Sequence, residues 1–330
     1  MNREARSWTK FAIFIGFLAI AFALASAQYL GRYPMPAQAG LAIYCCFLLL
    51  LVLAVAPAVY APRSLISNAF GGRKRLLFIA VWCLPYGIYA AGNGDFHWQS
   101  LARLLAIAVP LPLIYQAVPV THLSRFHWQD ALAGSWLMSA VLFHGLHGIW
   151  TVPVNLDFMG RLFLLTIGAW TWTFLRPVPA LGYQFSFSKH VLSAAAFHFT
   201  LFAALAIPAS LAMHFTQWNP HWRGWTHFSL DFLEIWLFIA LLEELFFRGF
   251  LQSLLSRSMH APWQGQLVAS CLFGLSHIVH APVPNWRYVA LASVAGWFYG
   301  SAFRSGGGLL ASSLTHAMVD TAWRTWFSRI

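Results

Sequence analysis

The sequence predicts an all-α, polytopic membrane protein built as a bundle of transmembrane helices. Of its 330 residues, 59% are hydrophobic and 9% are charged, whereas about 25% charged residues are usual in a soluble domain. Apolar stretches about as long as a bilayer core is thick recur from one end of the chain to the other. One bundle of about 8–11 spans therefore describes the chain better than two soluble domains do.

Stretches of roughly 17–25 apolar residues satisfy the length that a bilayer core requires at a rise of 1.5 Å per residue. We find about eleven such segments. The weaker ones, 77–92 and 161–177, also fit re-entrant or interfacial helices. The first of the eleven segments, centred near residue 19, lacks a convincing signal-peptide cleavage site and is interpreted as a retained span. The segment centres lie near residues 19, 50, 84, 109, 141, 169, 203, 242, 273, 295 and 318.

Basic residues in the short gaps between these segments predict a cytoplasmic N-terminus. Lys and Arg are enriched in the cytoplasmic loops of membrane proteins. If the N-terminus is cytoplasmic, the loops on the cytoplasmic side contain more Lys and Arg than the loops on the opposite side. The net charge of +11 therefore orients the helices and does not predict a nucleic-acid partner. The cytoplasmic set is Arg63, Arg73, Lys74, Arg75, Arg125, Arg176, Lys189, Arg257 and Arg304, and the opposite set is Arg32, Arg161, Arg223 and Arg287.

Two glutamates and an arginine interrupt one apolar segment, where a lipid bilayer tolerates almost no charge. Glu244 and Arg248 are four residues apart on one helical face, which predicts an ion pair that stabilises the site. Glu243 points elsewhere on the helix, because successive residues are rotated by about 100°. It must find a partner on another helix, take up a proton or face a water-filled cavity, and it is the candidate general base.

Two later segments carry the other candidate residues. Phe273 and His277 are one helical turn apart, and so are His316 and Asp320. Taken alone, the histidines also fit hydrogen-bonded packing groups, and the second pair also fits a His–Asp hydrogen bond within one helix. From the expected helix ends, Glu243, His277 and His316 lie at a similar depth of roughly 12–20 Å, so the three side chains can share one pocket.

The three motifs, Glu-Glu-x-x-x-Arg at 243–248, Phe-x-x-x-His at 273–277 and His-x-x-x-Asp at 316–320, occur in this order on successive apolar segments. This arrangement resembles the CAAX-protease and bacteriocin-processing (CPBP, or Abi) family of intramembrane proteases. The resemblance covers roughly residues 190–330. We therefore expect residues 191–330 to form a protease core and residues 1–190 to supply further transmembrane helices of unassigned role.

The resemblance implies a glutamate protease that needs no cofactor. Glu243 would activate a water molecule with help from His277, while Glu244, Arg248 and Phe273 would support the site. His316 and the residue four positions later would stabilise the oxyanion of the tetrahedral intermediate. It further implies a bacterial inner-membrane enzyme that acts on a membrane-associated protein or peptide, with C-terminal processing as one possibility.

Asp320 departs from the asparagine that is more usual at this position of the family. An ionised carboxylate repels an oxyanion, so Asp320 is either protonated or orients His316, and we favour the second role. Two alternatives remain open. Glu243, His277 and His316 could bind zinc, or the same buried residues with Asp320 could relay protons in a transporter.

Overall fold

The computed structural model describes residues 3–30, 35–70, 77–151 and 154–329, and nearly all regular structure in these ranges is α-helical. This confirms the predicted all-α membrane bundle. Each predicted segment centre lies in a helix except residue 109, which falls between two helices where Pro110 begins the second. Arg32 and the basic residues at 73–75, which entered the predicted orientation, lie outside the described residues.

The chain divides into two compact units. The first comprises Met1–Thr121 and His127–Pro177, and the second comprises His122–Phe126 and Val178–Ile330. The boundary predicted from the sequence, between residues 190 and 191, falls at the beginning of the helix Lys189–Ala212. A separate role for each part of the chain stays a prediction.

The regular secondary structure among the described residues of the first unit is entirely helical. A 3-10 turn, Ala56–Ala58, follows its second helix, and a π-helical segment, Thr171–Leu175, follows its last. The helices are α1 (Arg3–Leu30), α2 (Ala37–Val55), α3 (Tyr60–Ala69), α4 (Leu77–Asn93), α5 (Trp98–Ala108), α6 (Pro110–Ala117), α7 (Trp128–Leu142) and α8 (Phe158–Trp170).

A buried ion pair stabilises the first unit. Arg176 Nε lies 3.0 Å from Asp130 Oδ1, and both side chains are almost completely buried. Asp130 also accepts hydrogen bonds from the Tyr115 hydroxyl and from the backbone N–H of His127, which precedes α7. Arg176 was assigned to a cytoplasmic loop on its sequence position. Its buried pairing with an acid on α7 is a contact that a local sequence pattern does not reveal, and its position on the cytoplasmic side stays a prediction.

The second unit carries all the candidate site residues. Its secondary structure consists of α9 (Lys189–Ala212), β1 (Thr216–Trp218), α10 (Trp225–Ile235), α11 (Leu241–Glu244), α12 (Ser253–Ser258), α13 (Pro262–Leu275), α14 (Trp286–Ser305), α15 (Leu309–Trp326) and β2 (Phe327–Arg329). The π-helical segments Trp236–Ala240 and Leu245–Gln252 join α10, α11 and α12 into one continuous helical run. The two glutamates thus lie between two stretches of wider helix, a distortion that is frequent at functional sites.

A two-stranded antiparallel sheet links the residues after α9 to those after α15. Thr216 pairs with Arg329 and Trp218 with Phe327. The indole ring of Trp326 stacks on the rings of Trp218 and Trp222, with centroid distances of 5.7 Å in both pairs. Local sequence patterns do not predict this sheet, since the pairing joins segments that are far apart in the chain.

Five helical stretches among the described residues are long and apolar enough to cross a membrane. They are Arg3–Ala27, Ala37–Ala58, Trp98–Ala117, Phe158–Leu175 and Lys189–Ala212. The total of about 8–11 spans stays a prediction, as does the cytoplasmic position of the N-terminus.

Candidate active site

The adjacent glutamates of α11 have different surroundings. The Glu244 side chain is completely buried, whereas the Glu243 side chain is 33% exposed. Arg248 Nε lies 3.2 Å from Glu244 Oε2, in an ion pair that lacks the geometry of a hydrogen bond. The guanidinium donates its hydrogen bond from Nη2 to the carbonyl oxygen of Gly296 on α14, at 2.9 Å. The pair predicted from the i, i+4 spacing is therefore present and is anchored to a second helix.

Glu244 also binds a histidine from α15. His316 Nδ1 lies 3.0 Å from Glu244 Oε1, and both side chains are buried. Because a carboxylate only accepts hydrogen bonds, the imidazole donates from Nδ1. The supporting group is thus a three-residue network of Arg248, Glu244 and His316, which extends the pair that the spacing predicted.

The other nitrogen of His316 faces two further carboxylates. Nε2 lies 3.4 Å from Asp320 Oδ2 and 3.9 Å from Glu243 Oε2. Asp320 is therefore beside His316, as the spacing predicted. The Glu243 and Asp320 side chains are 33% and 38% exposed, while that of His316 is 4% exposed. The two carboxylates consequently form the accessible face of the site, and the imidazole lies behind them.

His277 lies beyond the end of its helix. The four-residue spacing predicts Phe273 and His277 within one helical segment, but α13 ends at Leu275 and His277 occupies the following turn. Its Nδ1 makes a 2.8 Å hydrogen bond to the carbonyl oxygen of Phe273. A carbonyl oxygen only accepts, so Nδ1 carries the hydrogen, and Nε2 of the neutral ring can accept a proton or a hydrogen bond.

His280 is the next histidine along the same turn. Its ring centroid lies 5.5 Å from that of His277 and 5.1 Å from that of Tyr288. Burial lowers the pKa of His280, and the positive charge of Arg329 acts in the same direction. Its neutral form is therefore favoured beside His277.

Phe273 is the aromatic centre of the site. It is buried, and its ring centroid lies 4.9 Å from that of His277 and 5.7 Å from that of His316. The Arg248 guanidinium lies 4.6 Å from the same ring centroid, within cation–π distance. Phe273 thus contacts Arg248 and both candidate histidines, and its supporting role stays a prediction.

Two tyrosines of α14 complete the site, and the sequence analysis did not select them. The Tyr299 ring stacks on His316 at a centroid distance of 4.5 Å and an interplanar angle of 17°. The Tyr288 ring centroid lies 4.7 Å from that of His277. A signal was available, because a tyrosine within an apolar segment usually needs a partner for its hydroxyl. The neighbours of these two tyrosines lie on other segments of the chain, so spacing within one helix could not identify them.

Glycines let α13 and α14 approach closely. A Cβ atom added to Gly296 would lie 3.2 Å from Arg248 Nη2, and one added to Gly274 would lie 2.5 Å from the carbonyl oxygen of Val289. Neither position has room for a side chain without a shift of its neighbours. These residues set the separation of α13 and α14 and hence the positions of Arg248 and His277.

The zinc alternative can be tested against the geometry of the described side chains. Among them, no three His, Cys, Asp or Glu residues are placed so that they could hold one metal ion. The proposed ligands Glu243, His277 and His316 are included in that statement. Independence of a cofactor stays a prediction.

Residues 225–322 match the family model described as "Type II CAAX prenyl endopeptidase Rce1-like". The match contains all three motifs and confirms the resemblance to CAAX proteases inferred from them. It supports a membrane-embedded endopeptidase in general terms. No curated protein and no solved structure matches the chain.

Proposed function

We propose that this protein is an intramembrane endopeptidase that hydrolyses a peptide bond of a membrane-associated protein or peptide, with Glu243 as the general base. The observation that carries the proposal is the contrast between two adjacent carboxylates. Glu244 is completely buried between an arginine and a histidine, whereas Glu243 is partly exposed beside His316 and Asp320. A base must reach water and substrate, and Glu243 is the glutamate of the pair that can do so.

The reaction begins when the Glu243 carboxylate takes a proton from a water molecule. The resulting hydroxide attacks the carbonyl carbon of the scissile bond, and the carbonyl oxygen becomes an oxyanion. When this tetrahedral intermediate collapses, the C–N bond breaks and Glu243 returns the proton to the leaving amine. His277 assists by accepting a hydrogen bond from the attacking water through Nε2, since its Nδ1 is bound to the Phe273 carbonyl oxygen.

The buried network has a supporting role in this proposal. Glu244 fixes the orientation of His316, and Arg248 balances the charge of Glu244 and ties the helical run to α14. Asp320 lies beside the outward-facing nitrogen of His316 and orients the ring from that side. Together these contacts hold a positively charged imidazole behind the two accessible carboxylates, where it lowers the electrostatic cost of keeping Glu243 ionised.

The proposed substrate is a membrane-associated protein or peptide, cleaved near its C-terminus. The family description names a prenyl endopeptidase, so prenylated C-terminal peptides are the first substrates to test. Peptides with the same sequence and no prenyl group would show whether the lipid is required.

The proposal is tested with the full chain reconstituted into liposomes and a panel of fluorogenic peptides. Glu243→Gln should abolish cleavage because an amide cannot take the proton, while the variant remains folded by thermal unfolding in detergent. Glu234→Gln is the matched control. It changes a glutamate nine residues earlier that is 53% exposed and paired with Arg324, and it should cleave at the wild-type rate. Wild-type cleavage by Glu243→Gln would refute the assignment.

A further inference from the structure

Both nitrogens of His316 are already committed to carboxylates. Nδ1 donates to Glu244 Oε1 at 3.0 Å, and Nε2 lies 3.4 Å from Asp320 Oδ2 and 3.9 Å from Glu243 Oε2. An oxyanion needs hydrogen-bond donors that are aimed at the developing charge. His316 has one N–H on the accessible side and shares it with two acids, and Asp320 offers no donor when it is ionised. Another donor on that side would complete the site.

The Tyr288 side chain lies beside His277 and is the candidate for this donor. Tyr288 is in the first turn of α14, directly against the two histidines of the preceding turn. Its ring centroid is 4.7 Å from that of His277, and it stacks on the ring of His280 at 5.1 Å. The side chain interacts electrostatically with Asp320 and Glu243, the two accessible carboxylates. A phenolic hydroxyl can donate one hydrogen bond, which neither carboxylate can do when it is ionised.

The two-stranded sheet of β1 and β2, which we call the β-ribbon, brings a cation to the same tyrosine. Arg329, at the end of β2, has its guanidinium carbon 4.7 Å from the centroid of the Tyr288 ring. It is held there by the pairing of β2 with β1, in which it faces Thr216. A positive charge beside the ring favours the build-up of negative charge on the phenol oxygen when the hydroxyl donates strongly.

Tyr299, the other tyrosine of the site, is less suited to this role. Its ring is stacked flat on His316 at 4.5 Å, and it is 2% exposed. It packs behind the imidazole, against Phe273. Tyr288 is only half-buried and lies beside His277, which the proposed mechanism places next to the attacking water.

We propose that Tyr288 is a catalytic residue whose hydroxyl donates a hydrogen bond to the oxyanion of the tetrahedral intermediate, and that Arg329 is a positioning residue that holds and polarises it. This inference rests on the proposed endopeptidase function. It assigns to Tyr288 the donor that Asp320 does not provide.

The test combines Tyr288→Phe with Asp320→Asn in the reconstituted full chain. Tyr288→Phe keeps the ring contacts and removes only the hydroxyl, so kcat should fall by about 10²–10³-fold with KM nearly unchanged. Asp320→Asn supplies an amide donor at the neighbouring position. The double variant should therefore have a kcat at least about tenfold higher than Tyr288→Phe alone. A purely structural role of the tyrosine would not produce this rescue.

Tyr60→Phe is the matched control. Tyr60 also lies beneath an arginine, with Arg3 4.5 Å from its ring centroid, but it belongs to the first unit. This variant should retain wild-type kcat. A Tyr288→Phe enzyme with near-wild-type kcat would overturn the inference, and so would a folded double variant as impaired as Tyr288→Phe alone. Failure of the wild-type protein to cleave any peptide would instead refute the proposed function.

Discussion

His316 Nδ1 lies 3.0 Å from Glu244 Oε1, although the two residues are 72 positions apart in the sequence. This contact joins α15 to the helical run that carries the glutamates. It also turns the local pair of Glu244 and Arg248 into a network that spans two helices and, through the carbonyl oxygen of Gly296, a third. The catalytic geometry and the packing of the second unit therefore depend on the same buried charges.

Removing one partner of the buried ion pair between Glu244 and Arg248 should destabilise the protein more than replacing both partners. Glu244→Gln leaves Arg248 without its acid, and we expect the free energy of unfolding to fall by about 3–5 kcal/mol. Replacing both residues, as Glu244→Gln with Arg248→Met, should cost less than the sum of the single changes, because no buried guanidinium is left without its acid. Denaturant unfolding in detergent measures each variant of this cycle.

The exposed pair of Glu234 and Arg324 provides the comparison. Its nitrogen and oxygen lie 3.1 Å apart, but the side chains are 53% and 39% exposed. Glu234→Gln should change the free energy of unfolding by no more than about 1 kcal/mol. Equal losses for Glu234→Gln and Glu244→Gln would show that burial does not govern these ion pairs.

Gly274→Ala should weaken both the fold and activity. The added Cβ would lie 2.5 Å from the carbonyl oxygen of Val289 and 2.9 Å from the backbone nitrogen of Ser293. Backbone atoms must move to admit it, so α13 and α14 separate and His277, three residues later, shifts. We expect a loss of about 1–3 kcal/mol in the free energy of unfolding, together with a lower kcat.

Gly16→Ala is the control for this change, since a Cβ at this helical position meets no atom within 4 Å. Alanine is the better helix former by about 0.5–1 kcal/mol, so this variant should be at least as stable as the wild type. A Gly274→Ala enzyme as stable and active as Gly16→Ala would disprove the tight contact between α13 and α14.

Trp326→Ala should release the β-ribbon. The Trp326 ring stacks on Trp218 and Trp222, and each stacked pair contributes about 0.5–1.5 kcal/mol beyond the burial of its surface. Without both pairs, β2 and Arg329 should lose their fixed position beside Tyr288. Amide hydrogen exchange should then be faster in residues 327–329, and kcat should fall.

Trp263→Ala serves as the comparison, because it also removes an indole ring, but Trp263 lies at the beginning of α13, outside the ribbon. It should leave exchange in residues 327–329 unchanged. Unaltered exchange in the Trp326→Ala protein would mean that the tryptophan stack does not hold the ribbon.

Removal of metal ions should leave cleavage unchanged, since the mechanism assigns no step to a metal. Activity of the reconstituted protein before and after treatment with a strong zinc chelator measures this directly. Loss of activity on chelation that added zinc restores would favour the metal-dependent alternative, with Glu243, His277 and His316 as ligands.

Local patterns were sufficient for those features that depend on neighbours along one helix. The length of the apolar segments predicted the helices, and the four-residue spacing predicted the contacts between Glu244 and Arg248 and between His316 and Asp320. The rotation of successive residues on a helix also predicted that Glu243 and Glu244 differ in their surroundings. Three ordered motifs predicted the resemblance to CAAX proteases, and the matching family model covers residues 225–322.

What the sequence could not determine was which residues meet across helices. Hydrogen bonds within a helix repeat at a fixed spacing, but contacts between helices depend on packing, such as the close approach that Gly274 and Gly296 permit. The bond from His316 to Glu244, the position of His277 beyond the end of α13 and the approach of Arg329 to Tyr288 arise in this way. The sequence determined the helices and the chemical groups of the site, while tertiary packing decided which charges are buried together and which donors reach the accessible carboxylates.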